Sequence, residues 1–265
     1  MSKTILGAYC LSFSYGHKRP ALDEISIELM QGGIMALLGP NASGKTTLLK
    51  ALAGLFPRNE FSGIVRYCGL DFFGYPHSER AKRVVYVSQD MRAEFPLTAY
   101  DAVMMGRLCY GARLFVHASR ADHDAVQSAM ERCACWELRS RMIDALSGGE
   151  RQLVLFARAL AQGARVLLLD ETLSRMDLHH QAMAGRILRG LSAQGYSTVL
   201  VAHDVNLASE WADTCVMMQK GRVVASGPVK EVFGAGHLGG LYPGAEITVA
   251  PSPVSGAPKV YFGRR

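Results

Sequence analysis

The stretch GPNASGKTT, residues 39–47, places Gly39, Gly44, Lys45 and Thr46 at the spacing of a loop that grips phosphate. Glycines let the backbone curl until successive N–H groups face an anion. A helix opening near Lys45 aims its positive end at the same point. Lys45 adds a mobile cation for the β- and γ-phosphates of a nucleotide, and Thr46 a hydroxyl for Mg²⁺. A second stretch, VLLLDE, residues 166–171, ends an apolar run on two adjacent carboxylates. Ionised carboxylates at the edge of a core are costly unless they are paired or bind a metal. With a phosphate loop in the same chain, Asp170 is expected to hold Mg²⁺, directly or through water. Glu171 is then expected to orient and deprotonate an attacking water. A third stretch, LSGGERQ (146–152), sets Ser147, Gly148 and Gly149 just before a helical run. It reads as a helix cap and a second anion-binding helix end.

These residues need strands to aim them. ISIELMQGGIMALLG (25–39) reads as a strand, a turn at Gly32–Gly33 and a short buried strand that feeds the phosphate loop. KTTLLKALAGL (45–55) has helical spacing, GIVRYCGLDF (63–72) reads as strand and turn, and RVVYVSQ (83–89) as another strand. RVLLLD (165–170) and STVLVAHD (197–204) are buried strands, separated by the helix HHQAMAGRILRGLSAQG (179–195). ERQLVLFARALAQG (150–163) reads as a helix stopping at Gly163, DVNLASEWAD (204–213) as a helix, and 214–228 as a hairpin turning at Lys220–Gly221. Strands alternating with helices imply a parallel sheet covered on both faces. Between 90 and 145 that alternation breaks: AYDAVMMGRL (99–108) and the run 120–141 are both helical, which marks an inserted helical subdomain. The Gly- and Pro-rich tail from Gly234 is expected to pack loosely.

Composition bounds the rest. A chain of 265 residues with 49% hydrophobic content can bury a sizeable core. Its net charge of +6 is scattered without an aromatic-interleaved basic stripe, which argues for a solvated face rather than a nucleic-acid surface. No apolar run is long enough to span a bilayer, and MSKTILGAYC lacks the apolar stretch of a signal peptide. Of six cysteines, only Cys133 and Cys135 stand close, as CxC. Without a second ligand pair they read as buried thiols rather than a zinc site.

Taken together, the motifs resemble those of the ATP-binding-cassette (ABC) ATPases, and LSGGERQ looks like that family's signature motif. The resemblance covers nearly the whole chain. It implies an α/β fold: a P-loop NTPase (RecA-like) core with an N-terminal antiparallel β-subdomain and an inserted helical subdomain. Residues 1–233 would form the ATPase domain, with the helical subdomain at about 90–145, and 234–265 a C-terminal extension. ATP would lie on Gly39, Pro40, Asn41, Ala42, Ser43, Gly44, Lys45, Thr46 and Thr47, with its adenine stacked on Tyr15 of LSFSYG. Mg²⁺ would be held by Thr46, Gln89 of YVSQD and Asp170. Glu171, Gln89 and His203 of VLVAHD would serve the attacking water and the γ-phosphate. Ser147, Gly148 and Gly149 of one subunit would close over ATP held by the other, and Asp177 would lie along the dimer interface.

The chain departs from the family in two places. Ala42 stands where a third glycine is usual, and its methyl group is expected to require negative φ. TLSRMD (172–177) stands where the family commonly reads Pro-Thr-Ser-Ala-Leu-Asp. Thr172 loosens that loop and restores an N–H donor. Arg175 brings a long cation that could crowd the interface, pair with a carboxylate or approach phosphate.

An ATPase without a membrane span must act on something else. A GTPase or kinase sharing only the phosphate loop is excluded by LSGGERQ and by the lack of an Asn-Lys-x-Asp stretch. A soluble cassette of DNA repair or translation would usually carry a long coiled coil or a second cassette. A transport motor is the favoured reading, with a soluble non-transport ABC ATPase the lesser alternative. FPLTAYDAVMMGRL (95–108) and residues 201–228 look like the importer cassettes for ferric siderophores, haem and cobalamin, with zinc and manganese importers a close alternative. The resemblance implies ATP and Mg²⁺ as cofactors, a homodimer bound to two permease subunits and, indirectly, a substrate-binding protein, with no nucleic-acid partner. It places the chain on the cytoplasmic face of the inner membrane.

Overall fold

The computed structural model describes residues 3–16, 19–88, 96–111, 118–172, 177–202 and 204–263. In chain order its elements are β1 (Thr4–Phe13), β2 (Leu22–Met30), β3 (Ile34–Leu38), α1 (Lys45–Leu52), β4 (Phe61–Tyr67), β5 (Leu70–Asp71) and α2 (His77–Ala81). There follow β6 (Val84–Val87), α3 (Ala99–Met104), α4 (Arg120–Arg132), α5 (Gly148–Ala161), β7 (Val166–Asp170), α6 (Leu178–Ala193) and β8 (Ser197–Val201). The remainder is α7 (Val205–Trp211), β9 (Thr214–Gln219), β10 (Arg222–Pro228), α8 (Val229–Val232), α9 (Ala235–Leu241), β11 (Ile247–Pro251) and β12 (Pro258–Phe262).

Strands β3, β7 and β8 are buried along their whole length, as their unbroken apolar runs require. They sit at the centre of a six-stranded sheet ordered β10-β9-β3-β8-β7-β6, parallel except at β10. Side chains leave a strand on alternate faces, so this sheet divides the core. Ile34, Ala36, Leu38, Leu167 and Leu169 face one cluster, built with Val103, Val126, Met130, Leu153 and Phe156 of the helices. Met35, Leu37, Val166 and Leu168 face the other, which includes Leu48 and Leu52 of α1 and Leu6, Leu11 and Val65 of β1 and β4. The second layer is an antiparallel sheet ordered β2-β1-β4-β5. Its strand β2 alternates buried and exposed residues, the pattern of a sheet with one solvated face.

The helical segment differs in detail from its spacing. The run 99–108 is α-helical only to Met104 and then tightens into a 3₁₀ turn at Met105–Tyr110. Here Gly106 backs onto α5, where a Cβ would lie 2.4 Å from the Arg158 carbonyl oxygen. Helix α4 ends at Arg132, not near 141, because Ala134 turns left-handed at φ 51°. That turn drives Cys133 and Cys135 inward, both free and fully buried. Burial pushes the Cys135 thiol up to about 12, so the pair is inert packing.

The tail does not pack loosely. Helix α9 buries Leu238 and Leu241, and the β11–β12 hairpin buries Val260. Asn206 of α7 reads the backbone of Val260 twice: Nδ2 donates to its carbonyl at 3.1 Å, and Oδ1 accepts its N–H at 2.7 Å. Lys259 adds an ion pair with Glu210 at 2.9 Å. A groove of about 720 Å³ runs between this tail and the phosphate loop, walled by Tyr242, Ile247 and Phe262 on one side and Gly39 and Asn41 on the other. Glycine count alone hid the apolar positions that dock the tail.

Candidate active site

Strand β3 delivers the chain into residues 39–44 and α1 carries it away, so the loop lies at the carboxyl end of a buried parallel strand. Open α/β sheets place their ligands there. Two glycines are required by the geometry. A Cβ on Gly39 would lie 2.2 Å from the Met218 carbonyl oxygen, and one on Gly44 2.5 Å from that of Ala21. Gly44 also caps α1 at φ 104° with no side-chain hydrogen bond, leaving the helix's first N–H groups to serve an anion.

Ala42 corrects one expectation. Its φ is +61°, not negative, so the methyl group is held in the left-handed region. Holding it there costs about 1–2 kcal/mol, against about 0.5–1 kcal/mol of backbone entropy lost by a glycine. Ala42→Gly is therefore expected to stabilise the fold by about 0.5–1 kcal/mol. A urea titration checks this; a lower midpoint would show that the methyl group packs more than it strains.

Lys45 is buried, at 6% exposure. Its Nζ donates to the carbonyls of Gly39 at 2.7 Å and Pro40 at 3.0 Å, bending the cation back over the loop. Burial lowers its pKa, while the nearby carboxylates of Glu171 and Asp170 oppose that shift. Ser43 Oγ is buried and has no hydrogen-bond partner among the described residues. Thr46 Oγ1 donates to Asp170 Oδ1 at 3.1 Å, so α1 and the end of β7 meet through two hard oxygen donors. Glu171 follows at φ 54° and lines the same cavity as residues 41–47, about 240 Å³ in volume. Cationic head, helix end, orphan hydroxyl and the Glu171 carboxylate thus surround one small space that suits a phosphate chain.

Tyr15 stands at its edge, half-exposed, with its hydroxyl 3.4 Å from Thr47 Oγ1. Phe13 and Phe56 brace the ring edge-on, at 4.8 and 6.0 Å between centroids. That leaves a fixed aromatic face beside the loop, able to stack on a base.

Ser147, Gly148, Gly149 and Asp177 do not line the cavity. Ser147 caps α5 through a reciprocal pair with Glu150: the Glu150 N–H donates to Ser147 Oγ at 3.3 Å, and the Ser147 N–H to Glu150 Oε2 at 2.8 Å. Arg141 holds the other oxygen of Glu150 at 2.8 Å. The Ser147 hydroxyl accepts in this arrangement. Asp177 caps α6, its Oδ1 accepting from the N–H of His180 at 2.9 Å and lying 2.8 Å from that residue's Nδ1. The His180 ring in turn abuts Gly149, where a Cβ would lie 2.6 Å from it. The structure thus joins Gly149 and Asp177 through an imidazole that motif reading passes over. Gln89, His203 and Arg175 lie outside the described residues. Thr172 is buried, with its hydroxyl unpartnered among the described residues. Tyr86 was likewise missed; its hydroxyl reaches Asp170, and its only trace in the sequence is one polar-tipped residue in the apolar run VVYV.

The family model for ABC transporters matches residues 22–174. A hemin import ATP-binding protein, HmuV, of Streptomyces coelicolor is 39% identical over 90% of this chain and 83% of its own length. The HmuV of Thermobifida fusca is 36% identical over 97% of this chain and 88% of its own length. Among solved structures, a metal-chelate type ABC transporter in an inward-facing conformation superposes with a TM-score of 0.83 at 25% identity, covering 99% of this chain and 98% of its own. A phosphate loop at a buried strand end, a strand-end carboxylate pair beside it and a capped LSGG helix thus sit in a chain that matches in sequence and in fold. The chain belongs to the ABC transporter family, as an ATP-binding, ATP-hydrolysing member.

Proposed function

We propose that this chain powers the import of an iron complex, a ferric siderophore or haem, or of cobalamin. In this reading it works as a homodimer beneath two permease subunits, on the cytoplasmic face of the inner membrane. A substrate-binding protein would deliver the cargo to the permease. The observation that carries the reading is the likeness to hemin import proteins over 90% or more of the chain. The metal-chelate type transporter supports it, because that match extends through the C-terminal elements. Among the described residues no helix is long and apolar enough to cross a membrane, which fits a subunit that borrows its span from a partner.

The geometry supports a division of labour. Thr46 and Asp170 would hold Mg²⁺, Asp170 through a bound water, because both its oxygens already accept hydrogen bonds and Mg²⁺ usually keeps several waters beside the substrate phosphates. When bound, it would neutralise charge on the β- and γ-phosphates. Lys45 and the N–H groups of α1 would hold the same phosphates from the other side, and Glu171 would take a proton from the attacking water. Tyr15 would stack on the base. Ser147, Gly148, Gly149 and Asp177, outside the cavity in one chain, would complete the site across the dimer. Gln89 and His203 keep the roles that the family resemblance implies.

The test is reconstitution, in proteoliposomes, with whatever permease co-purifies with this chain from its native cell, together with that permease's binding protein. ATP hydrolysis is measured as the binding protein is offered haem, a ferric siderophore, cobalamin, zinc or manganese. Several-fold stimulation by an iron complex or cobalamin is expected. Stimulation by zinc or manganese alone would overturn the cargo assignment, and hydrolysis indifferent to the permease would overturn the transport role.

A further inference from the structure

Strand β6 pairs in parallel with β7, setting Tyr86 opposite Leu168 and Val87 opposite Leu169. Tyr86 therefore stands beside the strand that ends at Asp170, near enough for a phenol to reach the carboxylate. Its hydroxyl donates to Asp170 Oδ2 at 2.7 Å. Thr46 donates to the other oxygen, Oδ1, at 3.1 Å. Both oxygens of a 6%-exposed carboxylate are thus tied, one from the phosphate-loop helix and one from the neighbouring strand. A carboxylate held at both oxygens cannot rotate about its Cβ–Cγ bond without breaking a hydrogen bond.

We propose that Tyr86 is a positioning residue that keeps Asp170 from swinging onto the cation as a chelating ligand, and so favours Mg²⁺ over larger divalent ions. The inference rests on the reading of Asp170 and Thr46 as the cation's protein partners. Its chemistry is general. Mg²⁺ is small, demands near-octahedral geometry and gives up water reluctantly, so a carboxylate fixed as a hydrogen-bond acceptor suits it. Ca²⁺ accepts carboxylates in one- or two-oxygen modes and tolerates irregular shells. Releasing Asp170 Oδ2 removes a constraint that Mg²⁺ uses and Ca²⁺ does not. The remaining bond from Thr46 leaves the freed carboxylate able to pivot.

Tyr86→Phe deletes the hydroxyl and keeps the ring. Binding of a fluorescent ATP analogue to the full chain is titrated with Mg²⁺ and, separately, Ca²⁺. The water ligands of Mn²⁺ in the nucleotide complex are counted by electron paramagnetic resonance in ¹⁷O-water. Without the preorganisation of Asp170 that this hydrogen bond supplies, the Mg²⁺ half-saturation is expected to rise about tenfold. The Ca²⁺ half-saturation should hold or fall, and Mn²⁺ should lose a water. Unchanged Mg²⁺ dependence and an unchanged Mg²⁺-to-Ca²⁺ ratio in Tyr86→Phe would overturn the role of Tyr86. Asp170→Asn separates the two readings. If that variant keeps the wild-type Mg²⁺ dependence, the assignment of Asp170 to the cation fails, and the inference with it.

Discussion

Glu171→Gln is expected to bind ATP as the wild type does and to lower steady-state hydrolysis at least about a hundredfold, the ordinary worth of a positioned general base. Glutamine keeps the length and polarity of the side chain and removes its negative charge and its ability to take a proton. The hydrogen bonds that seat Lys45 run to the carbonyls of Gly39 and Pro40, which the substitution leaves in place. Binding and chemistry should therefore separate. Trapped ATP should also favour the closed pair, visible as an ATP-dependent shift to dimer on size exclusion. Normal turnover in this variant would sink the assignment of Glu171. Weakened ATP binding with proportionate turnover would instead make it a binding residue.

Lys45→Ala is expected to weaken ATP binding at least about thirtyfold, since truncating a buried charge partner typically costs 2 kcal/mol or more. The residue has a second, internal task, because its Nζ bridges the carbonyls of Gly39 and Pro40. Some loss of stability should accompany the change, as those carbonyls lose their donor. Isothermal titration with ATP, set beside a melting curve, distinguishes the two tasks. A lowered melting temperature with unchanged affinity would reduce Lys45 to a loop brace.

The contrast between Lys45 and Tyr86 shows what a sequence discloses. Lys45, Thr46, Asp170 and Glu171 were legible because their chemistry is local: fixed spacing on one loop, or two carboxylates at the end of one apolar run. The buried strands were legible for the same reason. Tyr86 and His180 act across elements. Tyr86 reaches Asp170 from 84 positions away, and only the pairing of β6 with β7 brings them together. His180 meets Gly149 through the packing of α6 on α5, which no spacing rule encodes. Ala42 failed differently. The general cost of a methyl group at positive φ was sound, but the loop imposes its backbone shape from outside, through Gly39 and Gly44 pressed against Met218 and Ala21. Tertiary context outweighed local preference there. The tail misled because its glycines and prolines outnumber the few apolar residues, Leu238, Leu241 and Val260, that dock it.

That docked tail also offers a vantage point for spectroscopy. Tyr261 and Phe262 are 51% and 66% exposed, and Phe262 lies on the rim of the groove whose opposite wall is Gly39 and Asn41. A dye attached at position 261 or 262 would be carried by a hairpin bolted to α7 rather than by a swinging end. It would watch the phosphate loop from across a fixed gap, and any change in the loop's surroundings would reach it as a change of solvent. The segment that composition marked as slack is the place from which nucleotide arrival can be read without labelling the machinery itself.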